Sequence, residues 1–537
     1  MKTWPLFVIA LVMSSCLGNL KETIDKASKT QSLNWNPNIA VPLVYSSLNM
    51  QDIVEVTDKY AQHRVEDDKS ITLIYQGQLF SLRAEDAFQL PNQSYSDFNT
   101  LTPAQAAVLD ATGNLSFQVT KDFDFALGSN ELDSIILKGG TWDLSLNTNL
   151  QHNVDVTVTV IGSDLNGNEL TSQIQASYGG NTPTSANESQ ILNRVILDLT
   201  LGNQGHSQLS LLFDVNIQKI NGNPVAPGEY VNFGMGMQNL AFRYLKGYLP
   251  NANLSNGNDS MFIDVFKHNE SGSFTLVDPK ISLHFKNSFG TPLRASLLQF
   301  AGIHQNGNQI NLNGYPAQFD FLAASSTGGI YIDSLSLDKS NSNLDDYINN
   351  KPYSNIYEYG IFTNPLNQND RVWMLDTSVL QCDVELDFPL YGTAQNYSLE
   401  SSAAFEIDSE IDEYVEEVLM RLHTENAFPV DLNLQVYLED SVSGLILDSL
   451  FHDDLLVLAS SSVDQNGKTE QVYPKTMDIP FDRDRLDVLK NANKISYVAR
   501  FNTLEENGSQ SDVKFFEEYE LLIQFGIQAK FNINEPL

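Results

Sequence analysis

Short runs of alternating apolar and polar residues dominate this chain. Trp142, Leu144 and Leu146 share one face of such a run, and alternate valines from Val154 to Val160 share one face of the next. Side chains alternate between the two faces of a strand, so this pattern is typical of a sheet with one dry and one wet face. The alternation predicts a mainly β protein built from antiparallel sheets.

Asn-Gly pairs lie between many of the alternating runs. Both central residues of a type I′ hairpin turn need positive φ, which asparagine and glycine adopt most readily. The pairs therefore predict two-residue hairpins between neighbouring strands. They occur at Asn166-Gly167, Asn221-Gly222, Asn256-Gly257, Asn306-Gly307, Asn313-Gly314, Asn466-Gly467 and Asn507-Gly508.

Three segments carry helical signals. Thr102-Pro103 provides an N-cap and a first-turn proline for a helix that ends at Gly113. The other two candidates span residues 343–350 and 482–491. Helices are therefore predicted to be few and short.

The second half of the chain contains an internal repeat. The run from Ile281 to Leu293 resembles the run from Val418 to Val430: each has a strand, an asparagine, a proline-containing bend and a second strand. The candidate helices and the strands after them recur at the same offset, 139 residues, and a weaker copy starts near Ser134. The repeat predicts tandem antiparallel β-sandwich-like modules. We expect an N-terminal β-rich region over residues 34–265, a middle β module over 266–400 and a C-terminal β module over 401–537.

The N-terminal residues have the three parts of a secretory signal: Lys2, an apolar run from Trp4 to Met13, and small residues before Cys16. Met13-Ser14-Ser15-Cys16 resembles the bacterial lipobox. The resemblance implies that residues 1–15 are a lipoprotein signal peptide and that Cys16 is lipidated and becomes the first residue of the mature protein. Residues 16–33 lack a strong period and are predicted to be a tether.

Charge and cysteine content narrow the possible partners. Lys and Arg number 31 against 67 Asp and Glu, a formal net charge of −36, which disfavours nucleic acid as a partner. The chain has two cysteines. With Cys16 lipidated, no partner remains for an intramolecular disulfide with Cys382. Cys382 alternates with apolar residues and is predicted to be a buried, inert thiol.

Four short segments resemble the large, poorly characterised β-rich lipoproteins of the Bacteroidota cell envelope. The resemblance implies an envelope location and a β fold, and it brings no catalytic or binding residue with it. Whether the protein faces the periplasm or the cell surface stays open. The segments are Trp35–Leu43, Asn287–Pro292, Phe388–Gly392 and Glu425–Pro429.

Signatures of catalysis are missing from the sequence. It has no nucleophile elbow, phosphate-binding loop, dinucleotide fingerprint or zinc-protease motif. The eight histidines are scattered, and His284 and His423, which match under the repeat, are expected on a sheet surface. We therefore expect no enzyme and no cofactor or metal.

Two acidic segments have carboxylates that are candidates for binding a cation. Asp164–Glu169 has oxygen donors around Gly167 but lacks the EF-hand frame, so a hairpin turn is expected. The acidic run from Asp408 to Glu417 is expected to be a solvated linker and strand edge.

Three functions fit these features. The first is a non-catalytic binding or scaffold lipoprotein anchored at the outer membrane, for example an accessory subunit of an outer-membrane complex, with filled module cores. The second is a lipid-binding carrier, which requires a continuous apolar groove. The third is a glycan-binding surface protein with exposed aromatic platforms, for which few tryptophans are available: Trp35, Trp142 and Trp373.

Overall fold

The computed structural model describes residues 34–35, 38–49, 62–263, 269–404, 415–449, 451, 455–464, 466, 468–503, 505–506, 509–531 and 533–534. The predicted signal peptide, Cys16 and the predicted tether lie outside these residues. The described chain is mainly β, with antiparallel sheets, as the alternation predicted. Its first strands are β1 (Asn34–Trp35), β2 (Asn38–Asn49), β3 (Gln62–Val65) and β4 (Ile71–Arg83).

The first module is a two-layer sandwich formed by residues 93–248. One layer has the order β10-β7-β13-β5 and the other β9-β8-β12-β6, and β11 pairs with both β7 and β8. The Phe213 and Phe233 rings stack between the layers, 5.0 Å apart. The strands are β5 (Gln93–Thr100), β6 (Asn114–Asp124), β7 (Glu131–Thr148), β8 (Asn153–Leu165), β9 (Asn168–Ala176), β10 (Thr184–Ile191), β11 (Ile196–Asp198), β12 (Gln208–Gln218) and β13 (Tyr230–Tyr248).

The middle module repeats this arrangement. Its layers are β20-β16-β23-β4 and β14-β21-β17, with β18 and β19 also on β17, while β22 pairs with β13 of the first module. The strands are β14 (Ala252–Phe262), β15 (Asn269–Leu276), β16 (Lys280–Asn287), β17 (Leu293–Ile303), β18 (Gln309–Asn311), β19 (Gln318–Phe321), β20 (Tyr331–Leu337), β21 (Ser354–Thr363), β22 (Val372–Leu375) and β23 (Val379–Pro389).

The C-terminal module has the layers β2-β36-β25-β31 and β24-β32-β26, with β27 and β28 on β26 and β15 on the outer side of β24. The strands are β24 (Tyr391–Ala404), β25 (Val415–Asn426), β26 (Val430–Asp440), β27 (Leu445–Ser449), β28 (Leu455–Leu458), β29 (Ser462–Val463), β30 (Thr469–Gln471), β31 (Tyr473–Phe481), β32 (Lys494–Thr503), β33 (Glu505–Glu506), β34 (Ser509–Gln510), β35 (Val513–Lys514), β36 (Glu520–Phe531) and β37 (Ile533–Asn534).

The three modules share one strand order. In each, two consecutive strands joined by a bend enter different layers: β7 and β8, β16 and β17, or β25 and β26. The first strand of each pair (β7, β16 or β25) is hydrogen-bonded to a later strand (β13, β23 or β36). That later strand is also hydrogen-bonded to a strand from earlier in the chain (β5, β4 or β2). The predicted repeat, including its weaker first copy, is confirmed by this common topology.

The modules are nested within one another. The first module lies in the sequence between β4 and β14 of the middle module, and the middle module lies between β2 and β24 of the C-terminal module. The predicted boundaries (34–265, 266–400 and 401–537) stay predictions, but the sheets cross them, because β2 and β4 complete sheets of later modules. Alternation marks a segment as a strand without specifying its partner.

Four helices lie within the described residues: α1 (Ala84–Ala87), α2 (Pro103–Thr112), α3 (Leu344–Asn349) and α4 (Arg483–Asn491). The last three confirm the predicted helices. At α2, Thr102 forms a capping box with Gln105, and Gly113 ends the helix with φ 75°. The single turn α1 was not predicted.

The Asn-Gly pairs have mixed outcomes. Asn166-Gly167 joins β8 to β9 as a two-residue turn, as predicted, whereas Asn306-Gly307 lies in a longer turn between Ile303 of β17 and Gln309 of β18. At Asn256-Gly257 the prediction was wrong, because the pair lies inside β14 and the glycine leaves room for the ring of Tyr359. Asn221-Gly222 and Asn313-Gly314 are turns between strands that do not pair with each other. Gly467 and Asn507-Gly508 lie outside the described residues.

Candidate functional site

The lipidation site falls outside the part of the chain that the structure describes. Cys16 and the residues around it therefore remain a prediction from sequence. Within the described ranges, no helix combines the length and the apolar character needed to cross a bilayer.

Cys382 is a core residue of β23. Its side chain has no solvent exposure, and burial raises the pKa of its thiol well above the ordinary value. A thiol that stays protonated is a poor nucleophile. The prediction that Cys382 is buried is confirmed, and its inertness stays a prediction.

His284 and His423 lie on the polar faces of β16 and β25, as predicted. Their side chains are half-buried, and Nδ1 of His423 is 2.7 Å from Oγ1 of Thr476. Across the described residues, no group of three or more His, Cys, Asp or Glu side chains could hold a metal ion.

The Asp164–Glu169 segment is the expected hairpin turn. The Gly167 N–H donates to Oδ1 of Asp164 (2.7 Å), and the Gly162 N–H donates to Glu169 (3.1 Å). In the acidic run, residues 408–414 lie outside the described chain, while Glu416 and Glu417 pair with Lys530 at 3.1 and 3.7 Å.

An apolar cavity of about 450 Å³ lies where the middle and C-terminal modules meet. We call it the junction cavity. Backbone hydrogen bonds join the two modules beside it: the Ile71 N–H donates to the carbonyl oxygen of Phe515, and the Leu390 N–H donates to that of Ile71. Side chains from both modules form its walls. They include Leu73, Phe388, Phe274, Leu432, Leu458, Phe501 and Leu521.

Several polar side chains in these walls have hydrogen-bond partners within the protein. Nδ2 of Asn426 donates to the carbonyl oxygens of Val430 (3.0 Å) and Ala459 (2.9 Å). The hydroxyls of Thr275 and Thr393 are 2.7 Å apart. None of the described residues lining the cavity carries a formal charge. The cavity therefore suits an apolar ligand, which loses no hydrogen bonds on entering.

Smaller side chains account for the free space. In the middle module, Phe321 pairs with Leu293 and packs its ring 5.0 Å from that of Phe285. In the C-terminal module, Leu458 pairs with Leu432, the repeat counterpart of Leu293. The counterpart of Phe285 is Thr424. Two aromatic rings that fill the middle module are thus absent from the C-terminal module.

A second, polar depression of about 600 Å³ lies on the outer face of the first module. We call it the polar trough. Gly234 and Gly236 of β13 lack side chains at its floor, and Asp143, whose carboxylate accepts from Ser189 Oγ (2.6 Å), stands beside them. Phe98, 59% exposed, lies further along the same face, 5.0 Å from the ring of Tyr230.

Neither Trp142 nor Trp373 forms a platform for sugars. Trp142 is fully buried, and the Trp373 ring covers Gly290, where an added Cβ would meet it at 2.1 Å. The side chain of Trp35 lies outside the described part of the structure. The exposed aromatic surface beside the trough comes from phenylalanine and tyrosine instead.

Comparisons with known proteins found no matching family model and no matching curated protein. Among solved structures, a candidate secreted protein from Parabacteroides distasonis ATCC 8503, a member of the Bacteroidota, is 13% identical, covers 54% of this chain and 89% of its own, and has a TM-score of 0.27. The VP2 subviral particle of infectious bursal disease virus is 8% identical, with coverage of 88% and 84% and a TM-score of 0.14. PNGF-II is 9% identical, with coverage of 72% and 99% and a TM-score of 0.13. At these TM-scores, none of the three indicates what this chain binds.

Proposed function

We propose that this protein is a lipid-anchored, non-catalytic binding protein of the bacterial cell envelope and that it holds an acyl chain in the junction cavity. The cavity carries the proposal. A purely scaffolding protein was expected to have filled cores, whereas a carrier requires an apolar space, and one lies where the middle and C-terminal modules meet. The lipobox-like Met13–Cys16 supports the anchor.

The energetics favour a chain-like apolar ligand. Each buried methylene contributes ~0.8 kcal/mol, so about eight methylenes contribute ~6 kcal/mol before the cost of immobilising the chain. Since Asn426, Thr275 and Thr393 in the wall already have hydrogen-bond partners, the ligand needs no polar group to satisfy them. An anchor at Cys16 would keep the carrier at the outer membrane, next to envelope proteins that deliver or receive the ligand.

A fluorescent fatty-acyl probe tests the proposal on an unlipidated Cys16→Ser form. Leu458→Phe restores the side chain of the middle module and fills the cavity. Leu445→Phe is the matched control, because Leu445 is 63% exposed on β27 of the same module. We expect the Cys16→Ser form and the control to bind the probe, and Leu458→Phe to bind at least tenfold more weakly. Absence of binding to the Cys16→Ser form, or unchanged binding by folded Leu458→Phe, would contradict the proposal.

Glycan binding is a second candidate function, supported by the polar trough. Hydroxyl, amide and carboxylate groups beside an exposed aromatic ring match the alternating polar and C–H surfaces of a sugar. An added Cβ at Gly236 would make only ordinary contacts, the nearest at 3.7 Å. Gly236→Phe therefore blocks the trough without strain. On a glycan array, this variant should lose any glycan retained by the Cys16→Ser form while still binding the acyl probe.

A further inference from the structure

A buried lysine stands beside the junction cavity. Lys351 follows α3, has a positive φ of 50°, and is only 7% exposed. Its Nζ donates to the carbonyl oxygen of Gly272 at 2.5 Å and lies 5.8 Å from the centroid of the Tyr397 ring. The side chain thus reaches from the middle module to strands of the C-terminal module.

Lys351 has no acidic partner among the described residues. Several other lysines of this acid-rich chain do have one; for example, Lys494 pairs with Glu439 at 2.6 Å, and Lys514 pairs with Asp68 at 2.8 Å. Burial lowers the pKa of the Lys351 ammonium, and no carboxylate counteracts this effect. A buried charge without a counter-charge is costly, so an anion that reached this position would be strongly favoured.

The Lys351 ammonium faces the ring of Tyr397, which forms part of the wall of the junction cavity. Tyr397 lines the cavity, as does Phe274, and their rings pack edge to face 5.7 Å apart. Gly272, which accepts the lysine hydrogen bond, precedes Phe274 by two residues on β15. The positive group therefore lies next to the two aromatic side chains, Phe274 and Tyr397, that β15 and β24 contribute to the cavity wall.

We propose that the ligand is a single-chain fatty acid whose carboxylate pairs with Lys351 while its hydrocarbon chain occupies the junction cavity. This inference rests on the proposed acyl-binding function and adds the chemical class of the headgroup. A carboxylate would complete the hydrogen bonds of the ammonium, which has three donors. It would also supply the counter-charge that the described protein residues do not provide.

The test compares palmitate with hexadecanol, which has the same chain length and no charge, by displacement of a fluorescent probe from the Cys16→Ser form at pH 7.4. We expect palmitate to bind at least tenfold more tightly. Lys351→Met should remove this preference and leave hexadecanol binding unchanged. Lys246→Met, at an exposed position of β13, is the matched control and should keep the preference.

The outcomes separate the two proposals. Equal affinity for palmitate and hexadecanol overturns the headgroup assignment and leaves the acyl-binding function standing. Failure of both ligands to bind overturns the acyl-binding function itself. If hexadecyl phosphate binds far more tightly than palmitate, the carboxylate assignment is wrong. Should Lys351→Met fail to fold, Lys351→Gln provides the second measurement, since it removes the charge, keeps a hydrogen-bond donor for the Gly272 carbonyl oxygen and must likewise abolish the preference for palmitate.

Discussion

Asn287 and Asn426, 139 residues apart, hold their bends with the same three hydrogen bonds. Each Oδ1 accepts from the N–H two residues ahead, and each Nδ2 donates to the carbonyl oxygen four residues ahead and to a second carbonyl from a later strand or loop. Both side chains are buried. For Asn287, the distances are 3.0 Å to Phe289, 3.4 Å to Thr291 and 2.8 Å to Leu322. For Asn426, they are 2.9 Å to Phe428, 3.0 Å to Val430 and 2.9 Å to Ala459.

We expect Asn287→Ala and Asn426→Ala each to lower the free energy of unfolding by about 1–3 kcal/mol, because each leaves buried backbone groups without partners. Urea denaturation monitored by fluorescence measures the change. Asn258→Ala, at an exposed position of β14, should change the free energy by less than about 0.5 kcal/mol. Equal effects in all three variants would show that the shared hydrogen bonds do not stabilise the bends.

These asparagines also show which part of the fold can be predicted from the sequence. The two asparagines made the repeat recognisable in the sequence. The first module has Thr148 at the equivalent position, and Oγ1 of Thr148 accepts a hydrogen bond from the Leu150 N–H at 3.1 Å. Thr148 thus accepts the same backbone hydrogen bond as the two asparagines, although it is a different residue. This difference explains why the sequence similarity of the first copy to the other two is weak. The nesting could not be predicted, because strands such as β2 and β4 pair with segments hundreds of residues away.

The first module should fold on its own, because all nine of its strands come from one continuous segment. Residues 88–250 expressed alone are expected to unfold in urea in a single cooperative transition. Residues 250–390 alone lack β4 and should not show such a transition, since β23 would lose its neighbour. A non-cooperative first-module fragment would contradict this expectation.

His152 makes the first module sensitive to acid. Its side chain is fully buried at the bend between β7 and β8, Nδ1 accepts from the Ile220 N–H at 3.3 Å, and Nε2 has no hydrogen-bond partner among the described residues. Burial lowers its pKa in the folded state. The unfolded chain, with a histidine pKa of about 6.5, then binds the proton first, so stability is lost as pH falls below that value.

We therefore expect the free energy of unfolding of His152→Phe to fall less than that of the unsubstituted protein between pH 7.5 and pH 5.5. Urea titrations at both pH values measure the difference. An identical loss in both proteins would assign the acid sensitivity to other groups.

Cys382 should resist thiol reagents in the folded Cys16→Ser form, in which it is the one remaining cysteine. The buried position and the raised pKa of the thiol both slow the reaction. Labelling is expected to need denaturant and to follow the unfolding transition. Rapid labelling of the native protein would show that β23 opens locally.

The candidate sites were less accessible to sequence reasoning than the fold. The junction cavity follows from differences in side-chain volume, such as Leu458 where the middle module has Phe321, and these matter only once the layers are superimposed. Thr424 in place of Phe285 was visible through the 139-residue offset, but a polar inward residue does not by itself indicate a cavity. Lys351 stands out only when its burial and its lack of an acidic partner are known.

The nested connectivity determines how the protein responds to mechanical tension. β2 and β36 are antiparallel neighbours, with Asn38 opposite Lys530. A pulling force on the two ends of the chain therefore unzips the C-terminal module first. The load reaches β4 and β23 of the middle module only after that, and β5 and β13 of the first module last. Forced unfolding thus follows an order set by connectivity, whatever the relative stabilities of the modules.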